Sequence, residues 1–274
     1  MRAVPFRFAE ILRMARTLDA SDVHAAADVP LAFRVDGRLE MQGRQTLSEA
    51  DIREILAFCF EEKQMSALRE RGDSTLTYSD VELGAARVHA YVTRAGISLA
   101  IRLLAVDIPQ LEALRLPQAA TRLAFVQQGL VLVTGPTGSG KSTVLAAVIA
   151  ELNRTTAKHI VTIEDPDEYR HRPDRYVISQ REVDSDVASF DAAVAGALRS
   201  DPDIIVLGEM RSRSTMQAAI SAAETGHLVF ATMHTGSAPD CIERIIGAFE
   251  GSAQAEIRTQ LAEVLAGVMG LRLV

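Results

Sequence analysis

The sequence predicts two domains: a mixed α+β domain over residues 1–106 and an α/β domain with a parallel sheet over residues 121–274, joined by a linker at 107–120. Three observations carry this prediction. In the second part, strand-like runs alternate with Ala-rich helical runs, which is typical of a parallel sheet with helices on both faces. The first part instead groups its strand-like runs together. A chain of 274 residues also has a prior of about two domains.

The first part begins with a helix and a hairpin. Apolar residues recur at helical spacing over 8–18, and alternation around a central Asp-Gly predicts a hairpin over 31–41. A capping-box pattern at Ser48 opens a helix that is expected to continue to Arg71. This order suggests a small sheet with helices against it. Three further strand-like runs follow, at 74–79, 86–92 and 97–104.

The second part repeats a strand–helix alternation. Its helical runs lie at 141–152, 187–199 and 214–224. Ligands of parallel sheets bind at the carboxyl ends of the strands, so motifs at those ends are the candidates for a functional site. The strand-like runs lie at 130–134, 159–163, 204–207 and 228–233.

Composition and charge argue against several classes of protein. The net charge is −7, and both parts hold more Asp and Glu than Lys and Arg, so no nucleic-acid partner is expected. The two cysteines, Cys59 and Cys241, form no short metal-ligand pair and favour a reduced, cytoplasmic chain. No uncharged apolar run has the length of a membrane-spanning helix, so no transmembrane segment is expected.

A phosphate-loop pattern follows the strand predicted at 130–134. The pattern G-x-x-x-x-G-K-[ST] is matched in full by Gly135-Pro136-Thr137-Gly138-Ser139-Gly140-Lys141-Ser142. Glycines let backbone N–H groups turn toward phosphate oxygens, and a helix N-terminus adds positive potential. Lys141 is expected to reach the β- and γ-phosphates, and Ser142 to hold Mg²⁺. The motif therefore predicts a nucleoside triphosphate with Mg²⁺.

Acidic residues follow two other predicted strands. Glu209 comes after 204–207, with Gly208 at the position where an aspartate is usual. Glu164 opens an acidic stretch after 159–163. Because parallel strands end at one edge of their sheet, both glutamates are expected beside the phosphate loop. The sequence leaves open which of them activates water and which supports Mg²⁺.

Two of the six histidines flank the strand predicted at 228–233. His234 is expected at its carboxyl end, either sensing the γ-phosphate or serving as a hydrogen-bonding core residue. His227 precedes the strand, and the spacing between the two is wrong for a helical metal pair, so no zinc is expected. The other four are predicted to be structural or surface residues: His24, His89, His159 and His171.

Four sequence blocks match one family in order and spacing: GPTGSGKST (135–143), VTIEDPDEY (161–169), DPDIIVLGEMR (201–211) and AAETGHLVFATMHT (222–235). In these blocks the chain resembles the secretion ATPases of type IV pilus and type II secretion systems, most of all the pilus retraction ATPases. The resemblance implies a PAS-like N-terminal domain, a RecA-like P-loop ATPase domain and a homohexamer. It also implies an ATP-driven motor on the cytoplasmic face of the inner membrane, with a platform protein as its partner.

The resemblance also implies roles for single residues. The block Gly135–Thr143 matches the Walker A motif, and Glu164 matches the glutamate proposed to activate water. Glu209 matches the atypical Walker B glutamate that supports Mg²⁺, through water. His227 and His234 match the histidine box. The arginines that the N-terminal domain offers to the nucleotide are matched by Arg87, Arg94 and Arg102.

Several alternatives stay open. Arg211 and Arg213 could supply a cation from the same subunit, in place of arginines from a neighbour. The family's usual C-terminal helical segment is missing, so the chain is expected to be a truncated product or a short member. The rival functions are a RecA-type nucleic-acid motor, which the acidic charge disfavours, and a nucleotide-binding regulatory subunit. Retention of Lys141 and both glutamates disfavours the second rival.

Overall fold

The computed structural model describes residues 4–80, 82–104, 108–165, 168–171, 177–183 and 185–272, without the side chains of 42–45. The chain divides into two compact units, Met1–Val106 and Asp107–Val274. Each unit builds its own sheet and its own hydrophobic core.

The first unit is an antiparallel sheet with helices on one face. Its helices are α1 (Phe6–Thr17), α2 (Glu49–Cys59) and α3 (Glu62–Arg71). Neighbouring strands are antiparallel in the order β3-β2-β1-β6-β5-β4. The strands are β1 (Asp22–Ala26), β2 (Pro30–Val35), β3 (Arg38–Thr46), β4 (Asp73–Asp80), β5 (Gly84–Thr93) and β6 (Gly96–Leu103).

Alternation along these strands separates a core face from a polar face. Val23, Phe33 and Ile101 are fully buried and pack with Phe8 and Ile55 of the helices. Successive side chains of a strand point to opposite faces, so the residues between these positions form the other face. That face carries polar and charged side chains.

The structure differs from the sequence prediction at two places in this unit. The single helix predicted up to Arg71 is broken at Phe60, whose backbone is extended (φ −93°, ψ 129°) and whose side chain is buried. Burial of the ring outweighs continuation of the helix. The strand β1 was not predicted, although it lies between β2 and β6. Its five residues, two of them alanines, are too few to give a clear alternation.

The second unit is a parallel sheet with helices on both faces. Its strands pair in the order β12-β7-β11-β10-β8-β9, parallel throughout. The strands are β7 (Gly129–Thr134), β8 (Ile160–Glu164), β9 (Ile178–Glu182), β10 (Ile204–Leu207), β11 (Leu228–Met233) and β12 (Leu265–Gly270). The helices are α4 (Gln118–Leu123), α5 (Lys141–Thr155), α6 (Phe190–Ala197), α7 (Arg213–Glu224), α8 (Ala238–Gly247) and α9 (Ala253–Val264).

The two faces of this sheet are covered by different helices. Val131, Val206 and Phe230 pack with α5, while Leu132, Ile205 and other alternate residues pack with α6, α7 and α9. Every position of β7, β10 and β11 is buried. Burial on both sides explains why these strands read as continuous apolar runs. The prediction of a parallel sheet is confirmed.

The edges of the second unit differ from the sequence prediction. The edge strands β9 and β12 were not predicted, and the helix expected over 187–199 covers only Phe190–Ala197. This helix begins at Phe190 because the side chain of Ser189 caps it, accepting a hydrogen bond from the backbone N–H of Ala192.

Within the segment predicted as a linker, Leu111 is buried in the core beside α5. No helix in the described part of the chain is long and apolar enough to cross a membrane.

Candidate functional site

The phosphate loop connects the carboxyl end of β7 to the start of α5. Lys141 is the first residue of the helix and is buried, with Nζ donating to the carbonyl oxygens of Gly135 and Pro136 at 2.9 Å each. Burial lowers the pKa of Lys141, while the charges of Glu209 and Glu168 oppose that shift. The ammonium group is thus held at the mouth of the loop.

The base of the loop requires glycine. Gly135 has φ +154°, and a Cβ there would clash with the carbonyl oxygen of Leu271 and lie 2.5 Å from Ser139 Oγ. Ser139 Oγ is buried without a hydrogen-bond partner among the described residues. The tip, by contrast, is exposed at Pro136, Thr137 and Gly138. The base of the loop is therefore closely packed, and its buried Ser139 hydroxyl makes no hydrogen bond to the described residues.

The two residues that follow Lys141 belong to the first turn of the helix. Ser142 and Thr143 are half-buried, and Thr143 Oγ1 lies 2.9 Å from the Tyr169 hydroxyl. Gly140 precedes the helix in a left-handed conformation (φ 89°). The first backbone N–H groups of a helix have no partner within it, so they are available to an anion.

Glu209 follows β10 and faces the phosphate loop. Its Oε2 is 2.7 Å from Arg211 Nη2 and 3.4 Å from His234 Nε2. Burial alone would raise the pKa of Glu209, but the Arg211 hydrogen bond and the nearby charges of His234 and Lys141 outweigh it and lower the pKa below its usual value. Arg211 Nη1 also lies 3.7 Å from Asp165 Oδ2. The carboxylate of Glu209 is therefore ionised, and its ion pair with Arg211 holds it in place.

Glu164 ends β8, the strand next to β10. Thr162 Oγ1 donates to Glu164 Oε1 at 2.8 Å, and Gln180 Nε2 donates to the same oxygen at 3.2 Å. The backbone N–H of Gly208 donates to the Ile163 carbonyl at 2.7 Å, and a Cβ at Gly208 would lie only 3.2 Å from Glu164 Cα. The close approach of the two strand ends explains the glycine where an aspartate is usual.

His234 follows β11 and contacts both Lys141 and Glu209. Its Nδ1 lies 3.4 Å from Lys141 Nζ, and its Nε2 is the atom that approaches Glu209. The next residue, Thr235, is hydrogen-bonded through its hydroxyl and its carbonyl to Thr134 Oγ1, at the end of β7. The imidazole therefore bridges the lysine of the phosphate loop and the acidic residue after β10.

The structure places the other predicted site residues elsewhere. His227 lies at the amino end of β11, with Nδ1 2.9 Å from the Ala222 carbonyl oxygen. The strand between the two histidines spans roughly 20 Å at about 3.3 Å per residue. His227 is therefore at the edge of the sheet opposite the phosphate loop.

The predicted arginines belong to the first unit. Arg87 and Arg102 face each other across β5 and β6, and Arg102 Nε donates to Asp22 Oδ1 at 2.8 Å. Arg94 is exposed in the turn between these strands. Their role toward a nucleotide stays a prediction.

Sequence reasoning missed the polar residues that support Glu164. Thr162 lies in an apolar run, and Gln180 lies on β9, which was not predicted as a strand. Residues 179–182 are four consecutive polar residues, so they show no alternation that would predict a strand. Their partners depend on the pairing of β8 with β9, which the sequence does not specify.

This arrangement places a cation, two carboxylates and an imidazole at the carboxyl edge of a parallel sheet, around a glycine-rich loop. It is the arrangement of P-loop nucleotide-binding proteins. Within that class the chain can be placed more closely. The model of the family "Type II/IV secretion system protein" matches residues 4–274, so the chain belongs to the type II/IV secretion system protein family.

Similarity to individual proteins supports this assignment to the family. "Uncharacterized protein YggR" of Escherichia coli (strain K12) is 40% identical over 264 residues, covering 96% of this chain and 80% of its own length. "Type IV pilus retractation ATPase PilT" of Pseudomonas aeruginosa (strain PAO1) is 38% identical, covering 97% and 77%. A crystal structure of the pilus retraction motor PilT with bound ADP superposes with a TM-score of 0.92 at 40% identity, covering 97% of this chain and 78% of that one.

Proposed function

We propose that this chain is the Mg-ATP-driven motor ATPase of a type IV pilus, acting in retraction and twitching motility, or of a related secretion system. One observation carries the proposal: Lys141, Glu209 and His234 are joined to one another at the end of the sheet where Glu164 also lies. The family of the chain supports it. The proposal includes a PAS-like first unit, a RecA-like second unit and a homohexamer bound to a platform protein on the cytoplasmic face of the inner membrane.

The loop fits a triphosphate. Its base is shaped by Gly135, and the buried hydroxyl of Ser139 has no partner among the described residues. Lys141 Nζ is bonded only to neutral carbonyl oxygens and an imidazole in the described contacts, which phosphate oxygens would replace as stronger, charged acceptors. Backbone N–H groups of the Gly135–Thr143 block complete the cradle.

The residues also fit Mg²⁺ held mainly by phosphate and water. The described residues include no group of three His, Cys, Asp or Glu side chains that could hold a metal ion by themselves. Mg²⁺ usually keeps several waters and few protein ligands, so Ser142 would bind it directly and Glu209 through water. When bound, the ion neutralises phosphate charge. The ion pair with Arg211 keeps Glu209 ionised for this task.

Glu164 is the better candidate for activating water. Two neutral donors, Thr162 and Gln180, hold one of its carboxylate oxygens, whereas the charged Arg211 holds Glu209. A carboxylate that is held in a fixed orientation near the phosphate can orient water and accept its proton. His234 would report the state of the phosphate site to Glu209, since it contacts both Lys141 and that carboxylate. Charge on the transferred phosphoryl group would be balanced by the arginines Arg87, Arg94 and Arg102 of a neighbouring subunit.

The test is phosphate release by the purified chain with Mg-ATP. We expect Glu164→Gln to bind Mg-ATP and to lower kcat by about 10²–10⁴-fold. Glu243→Gln, the same change at an exposed position of α8, should leave kcat unchanged. Identical Mg²⁺ titrations of Glu164→Gln and Glu209→Gln would contradict the division of roles. Stimulation by single-stranded DNA would favour a nucleic-acid motor, and ATP binding without turnover would favour a regulatory subunit.

The hexamer has its own test. The molecular mass of the protein in solution, measured with and without Mg-ATP, shows whether six subunits assemble. Mixing the inactive variants Glu164→Gln and Arg94→Ala should restore part of the activity if sites form between subunits. Subunit exchange without any recovery would contradict a shared site.

A further inference from the structure

A glutamine outside the phosphate, acidic and histidine motifs holds the carboxylate of Glu164. Gln180 lies on β9, where it pairs in register with Thr162 of β8. Alternate residues of a strand share a face, so Thr162, Glu164 and Gln180 lie on the same side of the sheet. Both partners donate to one oxygen, Oε1, at 2.8 Å from Thr162 Oγ1 and 3.2 Å from Gln180 Nε2.

The orientation of the glutamine amide is fixed by its other contacts. Its Nε2 also donates to the Tyr169 carbonyl oxygen at 2.9 Å, and its Oε1 accepts from the backbone N–H of His171 at 2.7 Å. A flipped amide would turn its oxygen toward two acceptors and its NH₂ toward a donor. Only one orientation satisfies all three contacts, and in that orientation Gln180 is a donor to Glu164.

The neutral charge of this donor matters for the chemistry. A lysine or arginine here would pair with the carboxylate, as Arg211 pairs with Glu209, and would weaken it as a base. An amide donor fixes one carboxylate oxygen without adding a charge. The two neutral donors thus hold Glu164 Oε1 in one orientation without adding a positive charge.

The same glutamine connects Glu164 to the phosphate-loop helix. Tyr169, whose carbonyl Gln180 holds, is bonded through its hydroxyl to Thr143 Oγ1 at 2.9 Å. Thr143 belongs to the first turn of α5. A continuous series of hydrogen bonds therefore runs from the phosphate-loop helix through Tyr169 and Gln180 to Glu164.

We propose that Gln180 is a positioning residue for ATP hydrolysis, acting through Glu164. Its amide sets the orientation of the carboxylate relative to the phosphate loop, so its loss slows turnover without weakening nucleotide binding. This inference rests on the proposed function, in which Glu164 activates water.

The test begins with Gln180→Met, which keeps the length of the side chain and removes its donors. We expect kcat to fall about tenfold or more, because misplacing a catalytic group by a fraction of an ångström has effects of this order. The KM for ATP should stay within about twofold. Ser179→Ala is the matched control: it removes a hydrogen bond from the same strand, to His159 Nε2 at 3.0 Å, and should leave kcat unchanged. If Gln180→Met melts earlier than this control, Gln180→Asn, an amide one methylene shorter, replaces it.

A double-mutant cycle separates positioning from a general structural effect. If Gln180 acts through Glu164, Gln180→Met should cause no further loss of kcat in the Glu164→Gln background. Equal losses in both backgrounds, or a loss expressed as a raised KM, would overturn the role of Gln180 alone. A wild-type chain that releases no phosphate would overturn the proposed function, and this role with it.

Discussion

The two sheets of this chain use their polar residues in opposite ways. In the first unit, Arg34, Asp22, Arg102 and Arg87 form one row across neighbouring antiparallel strands, on the face away from the core. In the second unit, β7, β10 and β11 are buried at every position, and the polar residues of the site come at the strand ends.

This difference follows from helix placement and strand direction. Helices cover only one face of the antiparallel sheet, so polar side chains spread over the other face. Parallel neighbours end at the same edge, so the residues that follow β7, β8, β10 and β11 meet there. Single substitutions at that edge should therefore affect chemistry, while charges on the face of the first sheet should matter little for folding.

The largest effect is expected at the edge of the second sheet. Lys141→Ala should lower phosphate release by at least about 10²-fold, because a buried cation aimed at developing phosphate charge is lost. Lys158→Ala makes the same change just before the amino end of β8, at the opposite edge, and should leave the rate unchanged. Similar rates for the two variants would show that the edge of the sheet does not determine the site.

A smaller effect on kcat is expected where the carboxyl ends of β8 and β10 lie in close contact. Gly208→Ala places a methyl group 3.2 Å from Glu164 Cα and from the Ile163 carbonyl oxygen, so the end of β8 must shift by a few tenths of an ångström. We expect kcat to fall about tenfold. Gly247→Ala is the control, because a Cβ there meets nothing within 4 Å. An unchanged kcat for Gly208→Ala would mean that the position of Glu164 tolerates this displacement.

The two faces of the first sheet should differ in their contribution to stability. Phe33 is fully buried, so Phe33→Ala should lower the free energy of unfolding by about 3–5 kcal/mol. Arg102→Ala removes the ion pair between an exposed guanidinium and Asp22, beside which Arg34 remains, and should change this free energy by less than about 1 kcal/mol. Chemical denaturation measures both, and comparable losses would contradict the division into a core face and a polar face.

A pH dependence of stability is expected in the second unit. Burial lowers the pKa of His171 from 6.5 to about 4, so the folded chain keeps this imidazole neutral where the unfolded chain protonates it. The free energy of unfolding should therefore decrease as the pH falls from about 6.5 toward about 4. Between pH 7 and pH 5 the wild type should lose up to about 2 kcal/mol more than His171→Asn. Equal losses would exclude this histidine as the source.

The sequence predicts those parts of the molecule whose pattern is local. The phosphate loop and the glutamates after β8 and β10 follow from motifs and strand direction. The same rule would have placed His227, which precedes β11, at the edge away from the loop. Short or edge strands such as β1, β9 and β12 lack enough buried positions to give a pattern. The role of Gln180 depends on strand register, which arises only when the sheet forms.

The strand β12 makes the phosphate loop mechanically sensitive. It runs parallel to β7 at the edge of the sheet, and just beyond it the backbone N–H of Leu271 donates to the Thr134 carbonyl at 2.7 Å, beside Gly135. The hydrogen bonds between the two strands lie across the strand axis, so tension along β12 loads them together in shear instead of peeling them apart one by one. A pull on the chain beyond Gly270 is therefore borne by the base of the loop that cradles phosphate.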